Sequence, residues 1–164
     1  MSETIYLQDG LDRNQKYAAL FPQLQALIEG EEDVVAATAN IVAALKEVFS
    51  FFWVGIYFVR EKQGAEELVV GPFQGPVACM RIAKGKGVCG SAWDKQESII
   101  VPDVDKFPGH IACNSESKSE IVVPVIKNNR VLAVIDVDSK ELNGFDKVDQ
   151  KHLEAVAGLI ANLL

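Results

Sequence analysis

Cysteine is scarce in this 164-residue sequence and odd in number: Cys79, Cys89 and Cys113 are the three. None belongs to a CxxC pair, and an odd count in an apparently reducing compartment disfavours a framework of structural disulfides. Histidine is scarcer still, with only His110 and His152. His110 and Cys113 form an HxxC pair, but Cys79 and Cys89 would have to complete a metal site from distant segments, so no metal is expected. Dense clusters of Lys and Arg are also missing. The formal net charge is −7, which argues against nucleic acid and anionic membrane as partners. The longest apolar runs, such as "FSFFWVGIYFV", are too short to span a bilayer as a helix. The opening "MSETIYLQDGLDRNQ" has neither the basic nor the apolar region of a signal peptide. A cytoplasmic location is the expectation.

What is present is enough for one core. Hydrophobic residues make up 49% of the chain and charged residues 24%, the balance of a single globular domain. Leu20, Leu24, Leu27 and Ile28 form one stripe over residues 12–29. They predict a helix that Pro22 kinks or restarts and Gly30 stops. Glu31, Glu32 and Asp33 then open a second helix with the stripe Val34, Thr38, Ile41, Leu45 and Val48. Strands are predicted over 51–59, 67–70, 77–82, 98–101, 120–126 and 130–138. A short helix, "VCGSAWDK", follows the turn-forming glycines of "AKGKG", which lacks the spacing of a phosphate loop. A last helix begins at Asp146 and buries Leu153, Val156, Ile160 and Leu163. Helices at both ends of a run of strands imply an α+β fold with an antiparallel sheet covered on one face. The other face, roofed by loops, is left for a ligand.

Three groups of residues invite a chemical reading. Cys113 lies in "FPGHIACNSESKSEIVVP", a polar segment unlike the apolar runs where cysteine serves as a small hydrophobe. Asp136 and Asp138 of "VLAVIDVDSK" are two apart and share one strand face. They form either a solvated strand end or an acidic pair that needs a cation between its members. Glu120 would join them if 120–126 and 130–138 form a hairpin. A tight Asn128–Asn129 turn pairs Glu120 with Val137, on the wrong face. A three-residue loop with a bulge, or a Glu120 lying just before the strand, brings it to the aspartates. Trp53 and Tyr57 of "FFWVGIYF" are four apart on one strand face, as core residues or as a pocket wall, with Gly55 leaving a dent between them. His110 reads as a general base or a loop residue, with the loop role favoured because backbone N–H groups can also stabilise a thiolate, and His152 reads as structural.

Taken together, "FWVGIYF", "GPFQGPVACMRI", "GKGVCGSAW", "GHIACNSESKSEIVVPV" and "VLAVIDVDS" resemble the free methionine-(R)-sulfoxide reductases, small GAF-domain enzymes acting on the free amino acid. The resemblance runs from about residue 30 to the C-terminus. It implies a GAF-like domain over 31–164, with residues 1–30 as a helical segment packed on it. It implies that Cys113 is the nucleophile, that Cys79 resolves the resulting sulfenic acid and that Cys89 is auxiliary. Thioredoxin restores the dithiol in that family, so no resident cofactor is implied. R-selectivity and a homodimer are implied with it.

The residues fit such chemistry. A thiolate attacks the sulfoxide sulfur, a proton accompanies the departing oxygen, and a second thiol condenses with the sulfenic acid to give a disulfide. Glu120, Asp136 and Asp138 would bind the substrate ammonium, and one carboxyl held protonated would donate to the oxygen. Trp53 and the dent at Gly55 would take the S-methyl group. Two other readings have no turnover. One is a GAF sensory module, against which the absence of an output domain weighs. The other is a redox-sensing scaffold.

Overall fold

A computed structural model describes residues 4–111 and 113–164. Residues 1–3 of the expected segment 1–30 lie outside the described residues. Helix α1 (Arg13–Leu27) starts at Asp12, whose carboxylate accepts the Gln15 N–H while the Gln15 side chain accepts the Asp12 N–H. This reciprocal pair satisfies two donors that a helix start leaves open. Helix α1 continues through Pro22 as one helix, so of the two expected effects of the proline the restart does not occur. Buried Tyr17 and Leu20 before the proline and Leu24 after it anchor the helix across the missing backbone donor. Helix α2 (Val34–Phe49) is capped by Asp33, which accepts the Ala36 N–H, and Ser50 ends it in the left-handed conformation. The last helix runs over Lys147–Leu163 and is capped by Asp146 as expected. No helix among the described residues is long and apolar enough to cross a membrane.

Six strands form one antiparallel sheet: β1 (Trp53–Lys62), β2 (Ala65–Gln74), β3 (Arg81–Ala83), β4 (Ile99–Val101), β5 (Ser119–Lys127) and β6 (Arg130–Ser139). Their order is β3-β2-β1-β6-β5-β4. One face carries Val54, Ile56, Phe58, Ile121, Val123, Ile135 and Val137 into a core shared with α1, α2 and the last helix. The opposite face carries Trp53, Tyr57, Val122 and Val134 toward α3 (Gly87–Lys95), which adds Val88, Cys89, Ala92 and Trp93. The α+β fold, with terminal helices on one face and loops over the other, is the one anticipated.

The β5–β6 hairpin resolves the question of register. Asn128 and Asn129 form the tight turn, with φ of 52° and 59° and Lys127 opposite Arg130. Two residues with positive φ give the turn whose twist suits a hairpin. Yet Ile126 pairs with Val131 and Val125 with Ala133, so Leu132 is an extra residue on β6. Beyond this bulge the register slips by one, and Glu120 stands opposite Asp138. A tight turn and a bulge therefore coexist.

The expected strand 77–82 shrinks to Arg81–Ala83. Val77 and Met80 are 86% and 75% exposed, so the segment before Arg81 has no sheet face to bury. The strand expected over 67–70 is longer, because "GPFQ" extends β2 to Gln74.

Asp149 ties the helical layer together. Its carboxylate is fully buried and accepts from Tyr17 Oη (3.0 Å), Arg13 Nη1 (2.8 Å) and the Asp146 N–H (2.9 Å). Arg13 is half-exposed, so the buried phenol and the cap dominate its worth. Asp149→Ala strands the Tyr17 hydroxyl and should cost roughly 2–4 kcal/mol in urea unfolding. A loss below about 0.5 kcal/mol, the range of a surface change, would contradict this account.

Candidate active site

Sheet register assembles the site before any loop is considered. On β6, Asp138 lies opposite Trp53 of β1 on one side and Glu120 of β5 on the other, while Asp136 lies opposite Gly55 and Val122. Partners directly opposite in an antiparallel sheet share a face. Tyr57, two positions beyond Gly55, joins the same wall. Trp53, Tyr57, Glu120, Asp136, Asp138, Cys89 and Cys113 all line one cavity of about 50 Å³. Cys79 is bonded to Cys113 at its rim.

Burial of three carboxyl groups so close together governs the electrostatics. Glu120 and Asp136 are 6% and 7% exposed. Desolvation pushes Glu120 well above the usual carboxylate range, and the charges of Asp136 and Asp138 push it further. Desolvation likewise raises Asp136, with Asp138 adding to it. Asp138 rises from 3.8 to about 6 through burial, opposed by the hydroxyl that Ser117 donates to Oδ1. No lysine or arginine lines the cavity among the described residues. His110 Nε2 stands 3.7 Å from Glu120 Oε2, but burial lowers the imidazole and favours its neutral form. Asp136 Oδ1 is buried without a hydrogen-bond partner among the described residues. Buried acceptors rarely go unpaired; a cationic ligand would supply the missing donor.

The two aromatic residues do more than form a wall. Trp53 Nε1 donates to the Pro76 carbonyl (3.0 Å) and Tyr57 Oη to the Cys79 carbonyl (2.9 Å). Together they hold the loop on which Cys79 sits. The dent expected at Gly55 is absent, because the Trp53 indole fills it. A Cβ on Gly55 would lie 2.3 Å from Trp53 Cη2 and 2.5 Å from Phe73 Cβ. Glycine is required there so that the indole can lie flat, stacked on Phe73.

Cys79 and Cys113 are joined by a disulfide with Cα atoms 5.5 Å apart. Cys113 is exposed and Cys79 half-buried, each on a loop, so Cys79 does not lie on the strand anticipated for it. Cys89, by contrast, is a free thiol in α3, 3% exposed, beneath the cavity. Burial raises its thiol well above the ordinary value, and Asp136 and Glu120 add to that. Sequence reasoning missed Ser117 and set His110 aside as a loop residue. Ser117 has no spacing signal, since only the fold of its loop turns its hydroxyl onto Asp138. His110 was signalled only by lying three residues before Cys113.

The chain matches the GAF domain family over residues 29–164. It is 51% identical over 162 residues to GAF domain-containing protein A of Dictyostelium discoideum, covering 99% of this chain and 100% of that protein. It is 40% identical over 165 residues to the free methionine-R-sulfoxide reductase of Saccharomyces cerevisiae, covering 97% and 91%. It superposes with a TM-score of 0.92 on the free methionine-R-sulfoxide reductase of Neisseria meningitidis in complex with its substrate. Identity there is 43%, covering 98% of this chain and 95% of the other.

The raised carboxyls have a cost that pH exposes. Between 3.8 and about 6 the native Asp138 holds a proton that the unfolded chain has released. Stability therefore falls as pH rises through that window and stays lower above it. Asp138→Asn should melt several degrees above the parent, ligand-free protein at pH 7.5, a gain on the order of 1–3 kcal/mol. The gap should close toward pH 4. Equal melting temperatures at pH 7.5 would show that the cluster is not under electrostatic tension.

Proposed function

The chain belongs to the GAF-domain family of free methionine-R-sulfoxide reductases, and on that premise we propose how its residues reduce free L-methionine (R)-S-oxide to methionine. The observation that carries the assignment of residues is the Cys79–Cys113 disulfide at the rim of an acidic cavity. It is the oxidised end state that such a reaction leaves behind.

Starting from the dithiol, the Cys113 thiolate attacks the sulfoxide sulfur. A carboxyl of the cluster protonates the oxygen, which passes to Cys113 as a sulfenic acid while methionine leaves. Glu120 is suited to this role, since burial holds its carboxyl protonated near neutral pH, and Asp138, raised to about 6, is the second candidate. Asp136, with its unpartnered Oδ1, takes the substrate ammonium. Trp53 and Tyr57 contribute the apolar wall for the thioether arm and hold the loop of Cys79 within reach. The Cys79 thiol then condenses with the sulfenic acid, forming the disulfide and releasing water. Sulfoxide and dithiol thus give thioether, disulfide and water.

An external dithiol must reduce the disulfide for a second cycle. Cys113 is exposed at the surface, which supports thioredoxin as the reductant and a reducing compartment, the cytoplasm, as the location. The electrons come from the cysteines, so this chemistry calls for no resident cofactor. Cys89, a buried free thiol lining the same cavity, stays outside the disulfide pair in this scheme. The homodimer implied by the resemblance belongs to the same proposal, and sedimentation of the pure protein tests it.

Cys113→Ser should abolish methionine formation, because a serine hydroxyl is far less nucleophilic at neutral pH. Cys79→Ser should release about one methionine per chain in a single turnover and then stall with thioredoxin, leaving a sulfenic acid on Cys113. Steady-state turnover by Cys113→Ser would remove it as the nucleophile. Recycling of Cys79→Ser at the parent rate would remove Cys79 as the resolving thiol.

A further inference from the structure

The mechanism leaves Cys89 without a chemical role. Deep burial alone would make it a small hydrophobe on α3, as most buried thiols are. It does pack in the apolar cluster of α3, but its sulfur also faces two carboxyl groups. The Cys89 sulfur and a carboxylate oxygen from each of Glu120 and Asp136 all lie within 4.8 Å of one another, and all three residues are buried. Asp136 is 7% exposed, and its Oδ1 has no partner among the described residues. Cys89 and Glu120 are hydrogen-bonded to Asp136, and with no lysine or arginine facing them among the described residues the three form a convergent donor set.

From this we infer that Cys89, Glu120 and Asp136 form a binding site for a thiophilic divalent cation of the zinc type. One sulfur and two oxygens supply three ligands of a tetrahedral site, with water in the fourth position. Bonds of about 2.0–2.3 Å place tetrahedral ligands roughly 3.3–3.8 Å apart, so the three atoms need only close by about an ångström. Thiolate selects zinc over calcium or magnesium, which prefer an all-oxygen shell. Binding displaces the protons held by Cys89 and by the carboxyl pair to solvent and forms one sulfur–metal and two oxygen–metal bonds, with no change of oxidation state. Three acidic groups that repel one another then share a dication, which reverses the tension that raises them. Zinc and the substrate ammonium claim the same Asp136 and Glu120, so each excludes the other. This exclusion, unlike the metal site itself, rests on the function proposed above.

The disulfide form of the full chain makes the test clean, because Cys79 and Cys113 are tied and Cys89 is the free thiol. Cobalt(II) titrated into it should produce a near-ultraviolet sulfur-to-cobalt charge-transfer band that saturates at one equivalent and is chased by zinc. Cys89→Ser should lose the band. It should also weaken zinc binding, measured against a chromophoric chelator, by at least about 10- to 100-fold. Asp136→Asn keeps the thiol and should weaken zinc by a similar factor, with thermal melting reporting whether each variant is folded. No sulfur-to-cobalt band in the folded parent protein overturns the site. Equal zinc affinity in Cys89→Ser overturns it too, leaving only surface carboxylates as ligands. In the Cys79→Ser/Cys113→Ser double variant, where Cys89 is again the lone thiol and no turnover occurs, free methionine sulfoxide should bleach the cobalt band. A band that persists at saturating sulfoxide would overturn the exclusion while leaving the metal site standing.

Discussion

Three carboxyl groups share one desolvated face of the sheet because β6 carries one residue more than β5. The tight Asn128–Asn129 turn alone would send Glu120 to the opposite side, into the core beneath the last helix. The bulge at Leu132 reverses that, pairing Glu120 with Asp138 and Val122 with Asp136. Most of what distinguishes the pocket follows from this crowding. Glu120 and Asp136 are raised well above ordinary carboxylates, and one buried oxygen of Asp136 has no donor among the described residues. A ligand that brings a positive charge relieves both conditions at once. The fold thus holds an unfavourable arrangement that a cationic ligand makes favourable, and the hydrophobic core on the far side of the same strands sustains it.

The binding face and the redox loops are mechanically one unit. Trp53 and Tyr57 rise from the sheet and hold the Pro76 and Cys79 carbonyls. Ser117, a few residues beyond Cys113, donates to Asp138, and Lys118 N–H binds the Ser139 carbonyl on the same strand (2.8 Å). Each cysteine loop is therefore fastened to a strand that also carries site residues. Two thiols separated by 34 positions in sequence meet because both loops are fastened around the same cavity. A ligand touching Asp138 or Tyr57 touches the anchors of the reacting groups as well.

Much of this was legible in the residues. Asp146 caps the last helix because a short acidic side chain satisfies free N–H groups, and that signal is local. Period-two alternation placed Asp136 with Asp138 and Trp53 with Tyr57. What was not legible depends on contacts remote in sequence. A bulge leaves no mark when the extra residue is a leucine in an apolar strand. The segment before Arg81 reads as a strand by composition, yet it becomes a loop because Trp53 and Tyr57, 22 to 23 residues away, take its carbonyls. Gly55 reads as an open dent until the indole is seen lying across it. Cys89 meets Glu120 and Asp136 only through the packing of α3 on β5 and β6.

The central claim is that the carboxyl cluster exists to receive a positive charge, and substrate charge tests it most directly. Acetylating the amino group of methionine sulfoxide removes the ammonium while leaving the sulfoxide and carboxylate in place. A charge-assisted hydrogen bond in a dry site is worth roughly 1.5–3 kcal/mol, so kcat/KM should fall by about ten- to a hundredfold or more for the N-acetyl compound. Equal kcat/KM for the free and N-acetylated sulfoxides would mean that Glu120, Asp136 and Asp138 do not read the ammonium, and the account of the site would fail.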